Sequence, residues 1–323
     1  MENFQYILPE IFISVSIMIF LLVGVFKKNS ASLIYNLSNI SLVILLALII
    51  NLSSLDTIYL FNESYLIDNL SNYMKIILVG SGIFVMLTGS KYIQVINLNK
   101  IEYPILILSS ILGMMIMISS NDLIVFYMGL ELQSLALYVL ASFNRDNLLS
   151  TESGLKYFVL SALSSGLLLY GCSLTYGFSE STNFDQILIN STEFNYGTTF
   201  GIVFILVGLA FKISAVPFHM WAPDVYQGSP TSVTLFFAIL PKIAALSVFI
   251  KFLYTPFANM NDQWQTIIVF ISIASMIFGA VAAIGQKNLK RLIAYSSISH
   301  MGYALAGLAT VSNQGIQSSI TYI

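Results

Sequence analysis

The sequence predicts an all-α polytopic membrane protein with about ten complete transmembrane helices and a truncated eleventh. The first observation is composition: of 323 residues, 57% are hydrophobic and 9% are charged, with a mean hydropathy of +0.85. Soluble globular domains carry roughly 25% charged residues, so a surface built from this chain would not stay dissolved in water. The net charge of −2 argues against a nucleic-acid partner. The single Cys172 excludes a disulfide framework or a cysteine metal site within the chain.

The second observation is the length and spacing of the apolar stretches. We expect each of them to cross a hydrocarbon core of ~30 Å. In order, they are Ile7–Phe26, Leu33–Leu52, Leu70–Ser90, Tyr103–Ser119, Asp122–Phe143, Thr151–Tyr176, Gly197–Lys212, Ser232–Tyr254, Gln263–Ile284 and Leu289–Leu308. An eleventh begins near Gln314 and reaches Ile323, which is too short to span. We therefore expect a fragment of a longer protein, or a chain that a partner polypeptide completes.

The third observation is that charge alternates between successive connections. Basic residues occupy alternate connections: Lys27, Lys28, Lys91, Lys100, Arg145, Lys156, Lys287, Lys290 and Arg291. Acidic residues occupy two of the others: Asp56, Glu63, Asp68, Glu180, Asp185 and Glu193. By the positive-inside rule, the basic connections face the cytoplasm or its equivalent. The N-terminus is then predicted on the positive, outer side of the membrane.

A helix break is predicted after the seventh stretch. The apolar run reaches Lys212 and then meets Pro217, whose ring clashes with the carbonyl four residues back and which lacks a backbone donor. Pro241, directly before Lys242, predicts a second loosened point in the next helix. Broken helices recur in membrane transporters, where a polar cavity or protein cover satisfies the freed backbone groups.

Three ionisable side chains are predicted deep in the membrane. At 1.5 Å per residue, Glu131 lies ~14 Å into its span, Lys242 ~15 Å and Lys212 ~22 Å. Each costs at least ~2.5–3.5 kcal/mol to insert. One interpretation is an ion pair that fixes helix packing, although such a pair gains little over an apolar one. The other is a proton relay, because the proton affinity of a buried lysine depends on a nearby carboxylate.

Three further residues are weaker candidates for the relay. His219 follows the break and His300 lies in the last complete stretch, but a lone histidine is more often a packing residue. Two distant histidines without a cysteine or carboxylate cluster do not predict a metal site. Lys156 lies five residues into its span, so its side chain could instead extend to the interface. The sequence contains no phosphate-binding glycine loop, no G-x-S-x-G motif, and no ligand set for flavin, haem or an iron–sulfur cluster.

Four motifs resemble a known family. The run K-I-S-A-V-P-F-H-M-W-A-P-D-V-Y-Q-G-S-P-T from Lys212 is similar to the signature of the subunit N family of NADH-quinone oxidoreductase, respiratory complex I. The mitochondrial counterpart is NADH dehydrogenase subunit 2. Three other stretches agree, namely Glu131–Leu135, Glu152–Phe158 and Asn288–Tyr303, and so does the opening Leu8-Pro9-Glu10.

The resemblance implies an antiporter-like subunit built from inverted five-helix repeats, each with a broken helix and a key ionisable residue. Glu131 matches the family glutamate on the fifth helix, Lys156 a lysine on the sixth, Lys212 the lysine at the break in the seventh, and Lys242 the lysine on the eighth. The implied segments are an N-terminal three-helix segment (1–100), a first repeat (101–254) and the incomplete start of a second (255–323). The family's second-repeat lysine, on the twelfth helix, lies beyond Ile323.

The resemblance also implies partners and a location. The partners are the lipid bilayer and the other membrane-arm subunits, in a bacterial or alternatively a mitochondrial inner membrane. This chain is expected to bind no cofactor, while other subunits of the complex use NADH, FMN, iron–sulfur clusters and a quinone. One alternative is a subunit of a multi-subunit cation/proton antiporter, although the stretch Trp221–Gly228 favours subunit N. A stand-alone solute carrier would need a midplane site of mixed polarity, and we find only proton-carrying groups.

Overall fold

The chain is mostly helical. The computed structural model describes residues 2–27, 30–53, 56–190 and 195–323, so Lys28 and Glu193 of the charged connections lie outside the described residues. Thirteen α-helices occur in this part of the chain: α1 Leu8–Phe26, α2 Ala31–Leu52, α3 Asn69–Val95, α4 Glu102–Ser119, α5 Leu123–Ala141, α6 Leu148–Ser179, α7 Phe184–Asn190, α8 Tyr196–Lys212, α9 Trp221–Gly228, α10 Thr231–Tyr254, α11 Asn261–Ile284, α12 Leu289–Leu308 and α13 Asn313–Tyr322. Short 3₁₀ turns precede α1 and α11.

The predicted count of ten complete spans is not confirmed. Within the described residues, eight helices are long and apolar enough to cross a membrane. The other two predicted stretches are helical but fall short in different ways. Helix α8 is short, with 17 residues. Helix α12 has 20 residues, but the charged residues Lys290 and Arg291 lie in its first turn. The short stretch near Gln314 forms α13, with Ser312 as its N-cap.

A small β-hairpin departs from the all-α prediction. Strands β1 (Ile58–Leu60) and β2 (Tyr65–Ile67) pair antiparallel between α2 and α3, in a segment predicted as an acidic loop. Leu60, Tyr65 and Ile67 form a buried cluster against which Tyr6 and Val125 pack. The hairpin thereby carries the Tyr65 side chain into the helical bundle.

The chain divides into two compact units. The first comprises residues 1–154 and 229–244, and the second comprises residues 155–228 and 245–323. In the first unit, α4 and α5 pack along their length because glycines let the backbones approach. A Cβ atom at Gly113 would lie 2.5 Å from the Gln133 backbone nitrogen and 2.8 Å from the Gly129 carbonyl oxygen. No real Cβ fits at that distance, so this contact requires glycine.

Replacing Gly113 with alanine is therefore expected to destabilise the α4–α5 pair by about 1–3 kcal/mol, the usual cost of overpacking a close contact. Gly80 on α3 is the matched control, because a Cβ there would have no atom within 4 Å. Alanine at Gly80 should be neutral or stabilising, since alanine favours helix over glycine by ~1 kcal/mol. Apparent thermal-unfolding midpoints of the purified variants measure both effects, and equal midpoints would show that the contact is not tight.

In the second unit, α12 lies at the centre of the helix packing, against α11, α13 and α9. Aromatic side chains fill the core of the second unit. The Phe184 and Phe252 ring centroids are 4.8 Å apart, and the fully buried Trp264 donates a hydrogen bond of 3.1 Å to the Phe257 carbonyl. The division into three segments at residues 100 and 254 concerns the internal repeats and stays a prediction.

Candidate proton-relay site

The helix break lies at the predicted place, but the helix ends before the proline. Helix α8 stops at Lys212 because Ser214 adopts the left-handed conformation, with φ of 57°. Two backbone hydrogen bonds close the end: the Ser214 amide donates to the Phe211 carbonyl at 3.0 Å and the Ala215 amide to the Ala210 carbonyl at 2.8 Å. This pair of bonds is the Schellman motif, which satisfies carbonyls that a helix end leaves free.

Side chains of the second unit hold the connection 213–220 between α8 and α9. The Trp221 indole donates to the Phe211 carbonyl at 2.9 Å, and its ring stacks on Tyr157 of α6 at 4.6 Å between centroids. The Val216 amide donates to the Ser275 hydroxyl of α11 at 2.9 Å. The irregular backbone is thus covered by protein, as a break inside a membrane requires.

Lys212 is the last residue of α8 and lies in the interior of the second unit. Its side chain is 95% buried, and its Nζ donates a hydrogen bond of 2.8 Å to the hydroxyl of Ser161 on α6. A cation at a helix C-terminus also faces the negative end of the helix dipole. The break therefore places a lysine ammonium beside a hydroxyl that can both donate and accept hydrogen bonds.

Glu131 and Lys242 both belong to the first unit. Glu131 lies on α5, and its Oε1 is buried without a hydrogen-bond partner in the described part of the chain. Lys242 lies on α10 and is 4% exposed. The predicted break at Pro241 is not observed: α10 runs uninterrupted with this proline in its interior. Most of α10 is buried inside the protein, and this burial holds the helix together despite the lost backbone donor.

An ionic network fixes the second half of the broken helix. Asp224 on α9 accepts a hydrogen bond of 2.8 Å from the Lys156 Nζ on α6 and one of 2.7 Å from the Arg291 guanidinium on α12. The same guanidinium nitrogen donates to the Gln227 side chain at 3.0 Å. Lys156, predicted either to join the relay or to reach the interface, has a side chain 40% exposed and paired with Asp224. One carboxylate therefore ties α9 to both α6 and α12.

The network keeps Asp224 ionised. Partial burial raises the pKa of this carboxyl, but the hydrogen bonds and charges of Lys156 and Arg291 lower it further, so the net pKa lies below its ordinary value. When the pKa of a carboxyl is lower in the folded state than in the unfolded state, the ionised group stabilises the fold at pH values above the unfolded-state pKa. This stability is lost as the pH falls through the folded-state pKa. The network is therefore intact throughout the neutral range.

Replacing Asp224 with asparagine is expected to loosen α9 and to lower the apparent thermal-unfolding midpoint. Each partly exposed ion pair contributes ~0.2–1 kcal/mol, so the expected loss is modest and shrinks at high salt. Asp146→Asn is the matched control, because this aspartate is exposed. A midpoint for Asp224→Asn that equals the wild type at low salt would contradict the proposed tie.

The two histidines have different surroundings. His219 lies in the connection 213–220 and is buried, with its ring 4.6 Å from that of Phe278 and its Nδ1 without a hydrogen-bond partner within the described residues. His300 is exposed on α12, and its Nδ1 lies 2.8 Å from the Tyr322 hydroxyl. Their membership of a relay stays a prediction. Across the described residues, no three His, Cys, Asp or Glu side chains are grouped as metal ligands.

One buried ion pair was not predicted from the sequence. Glu10 on α1 and Lys75 on α3 are 6% and 3% exposed, and the Nζ–Oε1 distance is 2.6 Å. Both lie inside apolar stretches, which is a readable signal, but both are near the start of their helices rather than at midspan. Depth along the span therefore did not identify every buried charge.

Comparisons with known proteins agree with the resemblance. The sequence profile described as "NADH:quinone oxidoreductase/Mrp antiporter, TM" matches residues 120–323. NADH-quinone oxidoreductase subunit N of Pelagibacter ubique is 71% identical over all of this chain and 69% of its own length. The subunit N protein of Rhodospirillum rubrum is 50% identical over 98% of this chain and 66% of its own length. The chain thus spans about two thirds of the length of these relatives.

Solved structures share the fold. Respiratory complex I from Thermus thermophilus with bound aureothin contains a chain 28% identical to this one, with a TM-score of 0.81 over 97% of this chain and 67% of that chain. The Mrp complex from a Dietzia species contains a chain with a TM-score of 0.87 over 99% of this chain and 61% of that chain, but 19% identity, which speaks for the fold alone. The profile match and the identity to curated relatives together show that this chain belongs to the NADH:quinone oxidoreductase/Mrp antiporter family, among its NADH-quinone oxidoreductase subunit N members.

Proposed function

We propose that this chain conducts protons in the membrane arm of an NADH-quinone oxidoreductase complex. The observation that carries the proposal is Lys212, an almost fully buried lysine at the break between α8 and α9 in a subunit N sequence. An intramembrane cation costs several kcal/mol to insert, so its presence beside an irregular backbone favours a role in transport over packing.

The proposed relay consists of Glu131, Lys212 and Lys242, with His219, His300 and Lys156 as additional candidates. Lys212 exchanges its proton through the Ser161 hydroxyl, which it contacts directly. Glu131 has a buried carboxylate oxygen with no protein partner in the described chain, so an internal water is the expected partner of that oxygen. Lys242 supplies a further buried ammonium. Asp224 holds α9 in place and is a positioning residue rather than a relay member.

Oxidation of NADH and reduction of the quinone are assigned to other subunits, which hold the FMN and the iron–sulfur clusters. The donor set of this chain fits none of these groups, because a cysteine-ligated cluster needs several thiolates and the sequence has Cys172 alone. The coupling therefore reaches this chain as a shift of charge in its neighbours rather than as an electron.

The finer topology is also part of the proposal. Ten complete spans, with the N-terminus on the positive side of a bacterial inner membrane, follow from the alternation of basic and acidic connections. The repeats divide near residues 100 and 254. Labelling of single cysteines placed at exposed positions such as Lys100 and Glu180 by a membrane-impermeant maleimide tests the orientation: the two positions should react from opposite sides.

The cation/proton antiporter alternative is disfavoured by sequence identity. The Mrp complex structure shares the fold, whereas relatives named as subunit N reach 71% identity. Affinity purification of the tagged chain from its native membrane decides the matter. Co-purification of NADH-quinone reductase activity, flavin and iron–sulfur clusters supports the proposal. Co-purification of small antiporter subunits, or isolation of the chain alone, overturns it.

A further inference from the structure

A buried cluster of three ionisable side chains lies in the first unit, outside the residues that the family profile matches. The Glu10 Oε1 accepts two hydrogen bonds, from the Lys75 Nζ at 2.6 Å and from the Tyr65 hydroxyl at 2.7 Å. The Lys75 Nζ also donates to the Tyr65 hydroxyl at 3.0 Å. The three groups thus form a closed hydrogen-bonded ring that joins α1, β2 and α3.

The charge of this ring is carried by Glu10 and Lys75. The groups that face Glu10 are Lys75 from α3 and Tyr65 from β2, and the hydroxyl of Ser119 at the end of α4 lies beside that of Tyr65. Burial and the neighbouring Glu10 charge raise the pKa of Tyr65 well above its ordinary value. The phenol therefore keeps its proton and remains a donor, and any change in charge falls on the ion pair.

The cluster adjoins a cavity of about 410 Å³ that opens to the protein surface. Its polar lining comes from Glu10, Ser14, Ser64 and Tyr65, and the rest of the wall is apolar. At ~30 Å³ per molecule, the cavity has room for several waters. The second oxygen of Glu10, Oε2, has no hydrogen-bond partner among the described residues. Buried carboxylate oxygens are normally hydrogen-bonded, so a small movement of Glu10 toward the cavity would give this oxygen a water partner.

The same cavity reaches the helix that carries Glu131. Val125 on α5 forms part of its wall, and Glu131 lies six residues further along α5, ~9 Å at 1.5 Å per residue. Besides the Ser119 hydroxyl, three buried oxygens along the α4–α5 pair have no hydrogen-bond partner in the described chain: Ser110 Oγ, Glu131 Oε1 and Gln133 Oε1. Groups of this kind mark positions where ordered water is expected in a folded protein.

We propose that the Glu10–Lys75 pair is a second protonatable site of this chain, which exchanges a proton with the adjoining cavity and communicates with Glu131 along α4 and α5. Protonation converts the Glu10 carboxylate to the acid, weakens its bond to Lys75 and changes the charge of the pair from zero to +1. Release of that proton restores the pair, and no electron is transferred. The inference rests on the proposed function, because it extends the relay to which Glu131 is assigned.

The competing explanation is a purely structural ion pair, and a double variant separates the two. Removing one partner alone would leave an uncompensated buried charge, whereas replacing both by apolar residues of similar size is often neutral for stability. In Glu10→Leu/Lys75→Met, the assembled complex should form and lose proton translocation during NADH-quinone turnover in vesicles. The control is Lys100→Met/Glu102→Gln, which removes two exposed charges and should translocate as the wild type does. Wild-type translocation in the Glu10/Lys75 variant overturns the inference.

Glu131→Gln, measured in parallel, distinguishes the two proposals. If Glu131→Gln stops translocation and the Glu10/Lys75 variant does not, the inference fails and the proposed function stands; if neither does, both fail. A second measurement tests the inference if the double variant assembles poorly. Infrared difference spectra recorded across a pH titration of the complex should contain a carboxylic-acid carbonyl band that is absent in Glu10→Gln and present in Glu102→Gln. Identical spectra for the two single variants overturn the inference.

Discussion

Replacement of Lys212 by methionine is expected to stop proton translocation by the assembled complex. Methionine keeps the length and the apolar stem of the side chain but removes the ammonium that contacts Ser161. Quinone reduction coupled to translocation should slow by about two orders of magnitude, the lower end of what a positioned acid–base group contributes. NADH oxidation with an artificial electron acceptor should be unchanged, because that reaction ends before the membrane arm.

The matched control for this variant is Lys287→Met, which removes an exposed lysine between α11 and α12. Translocation is measured as protons moved per electron in sealed vesicles, alongside the rate of quinone reduction. Arginine at position 212 restores the charge but does not release its proton, so it should assemble and remain inactive. Full translocation in either position-212 variant would remove Lys212 from the relay.

The sequence predicted the helices well because membrane-length apolar runs leave few alternatives for the backbone. All ten predicted stretches lie on helices, and the break after Lys212 was located from Pro217. The end of the helix at Lys212 itself could not be predicted, because the left-handed residue that follows a helix end is usually glycine and here is Ser214. Pro241 misled for the converse reason: a proline signals a break only when neighbouring packing does not hold the helix together.

The contacts of the charged residues were less predictable than their depth. Lys156 and Asp224 are 68 positions apart, and Asp224 and Arg291 are 67 apart. No periodicity within one helix relates such pairs, so their meeting depends on how α6, α9 and α12 pack. The hairpin that brings Tyr65 to Glu10 was equally hidden, because its two strands have three residues each and pack as one small cluster. Strands of three residues are too short to show a recognisable alternation of apolar and polar side chains.

Substitution of Glu131 by glutamine is the second variant expected to have a large effect. Glutamine preserves the shape of the side chain and the packing of α5 against α4, but it cannot take up or release a proton. Since Oε1 of Glu131 is buried without a protein partner in the described chain, replacing the carboxylate by an amide breaks no protein hydrogen bond at this oxygen. Assembly should therefore be normal, while translocation and coupled quinone reduction fall by about two orders of magnitude.

Two further variants separate the loss of a titrating group from a change in packing. Glu131→Asp keeps a carboxylate on a shorter side chain, and it should recover part of the translocation that glutamine loses. Glu180→Gln removes an exposed carboxylate and should behave as the wild type. Equal impairment by aspartate and glutamine would point to side-chain geometry rather than proton uptake. Unimpaired translocation with glutamine would mean that protons cross this subunit without using Glu131, and the ion pair at Glu10 and Lys75 would then lose its proposed destination.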